Sequence, residues 1–152
     1  MIYSIFFLVL SSLLGVYMYV KIALERTENH DPNSSMSMAR IAGQVTSLII
    51  AFNLFSIFPM DFLLICIVNC IISAVITSQF YSAQKNNTAI LGIFTGSIAG
   101  ILGTAIGYVS LNPEICGLPG ISSDLQSITI IIGTFLIILH CAIAMQVNLH
   151  VK

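Results

Sequence analysis

A chain of 152 residues of which 57% are hydrophobic and only 7% charged lies far from soluble proteins, where charged residues make up about a quarter. With a mean hydropathy of +1.01 it is expected to be an all-α integral membrane protein, a bundle of transmembrane helices. The formal net charge of -1, with few and scattered basic residues, gives no footprint for a nucleic-acid partner.

The first apolar run, Ile2 to Val20, matches the roughly 20 residues that span a hydrocarbon core. No Lys or Arg precedes it, and it exceeds the apolar core of a secretory signal, so a retained first helix is predicted. Ser4, Ser11 and Gly15 form a stripe of small residues on it. Lys21 to Arg40 is polar and holds three of the five basic residues. Asp31-Pro32, followed by Asn33-Ser34-Ser35, predicts a loop with a helical start.

Ile41 to Phe58 is the second span, ended by Pro59, and Phe62 to Phe80 the third. The link Pro59-Met60-Asp61 is so short that the two must form an antiparallel hairpin. A single helix from Ile41 to Phe80 would be about 60 Å long against a core of roughly 30 Å. On the third span Cys66, Asn69, Cys70, Ser73 and Thr77 share a face; on the second, Gly43, Thr46, Asn53 and Ser56 do so more loosely.

Ser82 to Thr88 reads as a turn and Ala89 to Val109 as the fourth span. Within it Gly92, Gly96, Gly100, Gly103 and Gly107 fall inside an arc of about 80° at roughly 100° per residue. A face of bare backbone admits another helix closely, so this span is expected to be the packing hub, against either its own chain or a second copy. Ser110 to Ser123 is a loop with two prolines, and Ser123 with Gln126 fits a capping box that starts a fifth helix over residues 125–147. There Thr129, Gly133, His140 and Ala144 share a face. The expectation is one transmembrane domain over residues 1–152, with spans about 2–20, 41–58, 62–80, 89–109 and 125–147.

In this arrangement Lys21, Arg26, Arg40, Lys85 and Lys152 all fall on one side. The positive-inside rule makes that side cytoplasmic, with the N-terminus outside and the C-terminus inside. Asn33-Ser34-Ser35 and Asn86-Asn87-Thr88 match the N-glycosylation pattern but lie on that same side.

His140 is the ionisable side chain deepest inside a span, which makes it a candidate proton carrier or ligand contact; the bland alternative is a neutral imidazole bonded to a neighbouring helix. Cys66 and Cys70 share a helical face, yet no cysteine-histidine spacing of a metal motif accompanies them, and no metal or other cofactor is expected. Cys66, Cys70 and Cys141 lie in apolar runs and Cys116 in a loop, which speaks against a disulfide framework. Asp61, Glu114 and Asp124 are outer-face carboxylates, read as helix caps or hydrated loop groups.

Glu25-Arg26-Thr27-Glu28-Asn29-His30 resembles the Glu-Arg loop of small membrane glutathione transferases over those six residues. That family has four spans rather than five and lacks the glycine-faced helix, so none of its site residues is carried over. No zincin pair, nucleophile elbow, P-loop or dinucleotide fingerprint is present.

The sequence therefore points to a non-enzymatic small multi-pass protein of a bacterial plasma membrane. Its expected role is that of an assembly or accessory subunit, with the bilayer and either further copies or a larger membrane protein as partners. The alternative is a small oligomeric channel or transporter with a polar path near His140, Asn53 and Asn69.

Overall fold

The computed structural model describes residues 2–25, 32–59, 61–83, 89–116 and 125–150. They form five α-helices, α1 (Ile2–Glu25), α2 (Pro32–Ile57), α3 (Phe62–Ser82), α4 (Ala89–Leu111) and α5 (Leu125–His150), with a 3-10 turn at Pro113–Cys116. No strand occurs among the described residues. Each helix contains a stretch of 21 to 23 residues long and apolar enough to cross a membrane. Residues 26–31, 84–88 and 117–124, which include Arg26, Lys85, Ser123 and Asp124, lie outside the described residues, as do the side chains of residues 32–35 and Gln126.

The helices outrun the apolar segments that reveal them. The largest difference is at α2, which begins at Pro32 rather than near Ile41. A proline fits the first helical turn, where its missing N–H has no partner to lose. Ala39 and Ala42 then pack against Met18 and Ile22 of α1, so tertiary contact holds as helix a segment whose composition reads as loop.

At the other end of α2 the predicted hairpin is present. Phe58 N–H donates to the Leu54 carbonyl at 2.9 Å, Pro59 stands outside the helix, and Asp61 caps α3 by accepting from the Leu63 and Leu64 amides at 2.9 and 3.4 Å. Above this link Phe55, Phe62 and Tyr108 form a triangle of rings, with centroids 4.8 to 6.5 Å apart, that joins α2, α3 and α4.

The centre of the bundle is α2, not the glycine-faced α4. Its spanning window is 56% buried against 22 to 39% for the other helices, and it packs against all four of them. The glycines of α4 occupy a single arc and serve one side, whereas α2 carries small or weakly polar residues around its circumference. Gly43, Ser47 and Ala51 face α3, Leu48, Phe52 and Phe55 meet α4, and Thr46 and Ile49 turn toward α5.

The α4 glycine arc is divided between two helices of the same chain. A Cβ on Gly92 would lie 2.8 Å from Ser78 Cα, one on Gly96 would collide with the Ser73 carbonyl, and one on Gly100 would lie 2.6 Å from the Asn69 carbonyl, all on α3. At Gly103 the obstacle is the Leu48 carbonyl of α2, and at Gly107 the Phe55 side chain at 3.1 Å. On the opposite side, a Cβ at Gly133 of α5 would press on the Phe7 ring of α1, and one at Gly15 of α1 on the Thr46 methyl of α2, at 2.7 and 2.6 Å. The α3–α4, α2–α4, α1–α2 and α1–α5 interfaces thus each use at least one residue without a side chain.

Gly100→Leu is expected to lower the stability of the purified protein by several kcal/mol, more than the ~1–3 kcal/mol of ordinary overpacking, because backbone carbonyl blocks the site. Leu102→Ala, at a half-exposed position outside the arc, should be nearly neutral in the same denaturation assay. Gly103→Ala should also destabilise more than Gly107→Ala, since a Cβ at Gly107 would stand 3.1 to 3.2 Å from the Phe55 side chain and the Phe52 carbonyl, whereas one at Gly103 would collide with the Leu48 carbonyl.

Candidate functional site

The three residues expected to form a polar path are all fully buried. They do not, however, form one path. Seen down α2 at about 100° per residue, Thr46 and Asn53 lie within about 20° of each other, while Ala51 is about 140° from Thr46. His140 bonds to Thr46 and Asn69 bonds to Ala51, which puts them on different sides of the central helix.

On the α3 side, Asn69 spans three helices. Its Nδ2 donates to the Ala51 carbonyl of α2 at 3.1 Å and to Thr104 Oγ1 of α4 at 2.9 Å, while Thr104 donates to Gly100. Further along, Ser73 donates to the Ser47 carbonyl at 3.4 Å, and one of the Ser47 and Thr77 hydroxyls donates to the other at 2.8 Å, leaving a single proton for the Ser73 carbonyl (3.3 Å from Ser47) or the Gly43 carbonyl (3.3 Å from Thr77). The pairs Gly43–Thr77, Ser47–Ser73 and Ala51–Asn69 step toward the hairpin four residues at a time on each helix. This is an antiparallel ladder of small residues.

On the α5 side, Thr46 donates its only hydroxyl proton to the Ala42 carbonyl at 2.7 Å. Its contact with His140 Nε2 at 3.1 Å therefore has the imidazole as donor. The ring accordingly carries a proton on Nε2, and its Nδ1 has no partner among the described residues. Asn53 lies on the same side of α2, with Nδ2 donating to Ile49 of its own helix at 2.8 Å and Oδ1 unpartnered. Asn69 Oδ1 and the Tyr81 hydroxyl are likewise buried without partners among the described residues.

Several residues grouped in sequence are separated in the fold. Gly43 faces α3 while Thr46 and Asn53 face away from it, and Ser56 bonds to Phe52 of its own helix. On α3, Asn69, Ser73 and Thr77 are buried, whereas Cys66 and Cys70 are half-buried at the edge of that face. No group of three His, Cys, Asp or Glu side chains that could hold a metal occurs among the described residues.

Sequence reasoning passed over Ser47 and did not pair Thr46 with His140. The signal for the ladder was present in the spacing, Gly43-x3-Ser47-x3-Ala51 on one helix and Asn69-x3-Ser73-x3-Thr77 on the next. The signal for Thr46 was weaker, because a threonine in a span most often bonds its own helix, as this one also does.

Beside Thr46 lies a cleft of about 360 Å³ between α1 and α3, floored by α2. Ser12, Gly15, Val16 and Tyr19 form one wall, Ile76, Gln79 and Phe80 the other, and Thr46 and Ile50 the floor. Tyr19 and Phe80 meet edge to face at 5.7 Å between centroids and join the two walls. No protein-family model matches the chain, and neither a curated protein nor a solved structure matches it.

Thr46→Val is expected to destabilise the protein by about 1–3 kcal/mol, because it leaves the buried His140 Nε2–H without an acceptor. In a His140→Phe background the same change should cost less, with a coupling of about 0.6–1.7 kcal/mol in a double-mutant cycle. Additive effects would show that the pair does not interact.

Proposed function

We propose that this chain is a non-enzymatic multi-pass membrane protein that works as an assembly or accessory subunit, packing its outer faces against further copies or a larger membrane protein. The observation that carries this reading is the inward placement of its polar groups. Asn69, Thr104, Ser47, Ser73, Thr77, Thr46 and His140 bond to one another or to neighbouring backbone inside one copy. What faces outward on α1, α3 and α5 is large aliphatic and aromatic side chain, such as Phe6, Leu13, Leu63, Ile71, Ile131 and Phe135. Such surfaces offer contact area rather than chemistry.

Two finer features belong to the same proposal. The distribution of Lys and Arg favours the N-terminus outside and the C-terminus in the cytoplasm of a bacterial plasma membrane. The internal use of the α4 glycines favours self-association, where it occurs, through faces other than that arc. The rival reading, a channel or transporter, needs a polar path, and the separation of Asn69 from His140 within one copy counts against it.

Native mass measurement and crosslinking in lipid nanodiscs test the proposal directly. A defined assembly is expected, of copies or with a stoichiometric membrane partner, alongside solute and proton leakage from reconstituted vesicles no faster than from protein-free ones. Robust flux that His140→Ala abolishes would overturn the accessory reading in favour of the transporter.

A further inference from the structure

Between α1 and α3 the ring of helices around α2 stands open. The α1 wall of the cleft there, Ser12, Gly15, Val16 and Tyr19, follows the i, i+3, i+4, i+7 pattern of a single helical stripe. The cleft therefore runs along the helix axes for about 10 Å, at 1.5 Å per residue. In a membrane that is the direction of the lipid chains.

Of the polar lining groups, Ser12 and Thr46 are engaged. Ser12 donates to the Leu8 carbonyl at 2.8 Å, and Thr46 donates to Ala42 while accepting from His140. An ordered water needs about two to four polar partners, and Ser12 and Thr46, already bonded, are poor ones. The remaining walls are the carbon surfaces of Val16, Tyr19, Ile50, Ile76 and Phe80, with Gln79 at one edge. The cleft's volume of about 360 Å³ lies at the lower end of the roughly 300–1,000 Å³ range of small-ligand sites.

From these observations we infer that the α1/α3 cleft is a binding site for a single lipid acyl chain, which enters sideways from the bilayer and rests on Ile50 and Thr46. Carbon contact on the walls and floor holds the chain, in the way that an apolar cavity holds an apolar guest. A cleft with two walls and a floor restrains one chain more than the open flank of a helix restrains its neighbours. The site is independent of any protein partner, so it stands or falls separately from the accessory role.

The test uses the purified full-length protein in vesicles of phosphatidylethanolamine and phosphatidylglycerol that carry a trace of phosphatidylcholine with a diazirine in its acyl chain. After illumination, labelled positions are mapped by peptide mass spectrometry. Labelling by bulk lipid follows exposure, and so should favour Ile93 and Phe94 on the outer face of α4 over the half-buried Ile50 and Ile76. Occupancy of the cleft reverses that order, with Ile50 and Ile76 labelled several-fold more than Ile93 and Phe94. Val16→Trp, a change at an exposed position of the wall, should then reduce labelling of Ile50 and Ile76 and leave that of α4 unchanged. Labelling of the wild type in proportion to exposure would overturn the inference, whatever the variant does. Labelling of the cleft undiminished in a folded Val16→Trp protein would do so as well.

Discussion

Close approach of backbones is the constraint on which this bundle depends. Inside hydrocarbon a helix gains little by turning apolar side chains away from lipid, because lipid is as apolar as they are. Contact between helices must come from density and from polar groups that lipid cannot satisfy. The α4 glycines supply the first and thereby permit the second. Gly100 lets α4 come within reach of the Asn69 backbone, and at that separation the Asn69 amide bridges to Thr104 and Ala51. Each such hydrogen bond averages only about 0.6 kcal/mol, so the ladder alone is a weak fastener. The Asn69–Thr104 bond forms because the glycines have already brought α3 and α4 together, while the ladder itself rests on the small residues Gly43, Ser47 and Ala51 of α2.

The same constraint explains why α2 lies at the centre and why the two sides of the bundle differ. Toward α3 and α4, α2 meets glycine, serine, threonine and asparagine, and the three helices interlock backbone to backbone. Toward α1 and α5 longer side chains, Met18, Ile22, Ile143 and Val147 on one level and Ile49 and Leu136 on another, pack among the small residues Gly15, Ala39, Ala42 and Ala144. With α1 braced against α2 and α5 and not against α3 along its length, the ring around α2 remains open at one seam.

The number of spans was legible because it depends on hydropathy alone, and the hairpin because Pro59 cannot continue a helix and Asp61 readily begins one. The glycine arc was legible as a surface, since five glycines on one face have no local purpose. What it faces was not, because the arc reads the same whether the partner is α3 or another copy. The centrality of α2 left a trace that pointed the wrong way. Its spanning window has the lowest hydropathy of the five, 1.4 against 1.9 to 2.5, which reads as a weaker span. In lipid that is the mark of an interior helix, freed from facing hydrocarbon and able to carry Thr46, Ser47 and Asn53. The start of α2 at Pro32 was hidden for the opposite reason, since polar residues near the membrane surface follow tertiary contact rather than their own propensity.

Thr46 connects the two sides of this account. One residue meets the bare backbone of Gly15 on α1, accepts the His140 proton from α5 and forms part of the floor of the open seam. A serine there would keep both hydrogen bonds but lose the methyl that fills the space over Gly15; a valine would keep the methyl and lose the bonds. Threonine is the side chain of that size which meets both demands. This gives the buried imidazole a structural reason to be present: it is the donor that allows a hydroxyl at the floor of an apolar cleft to be satisfied from behind. The seam can then present carbon to the bilayer, with its polar atoms turned into the protein.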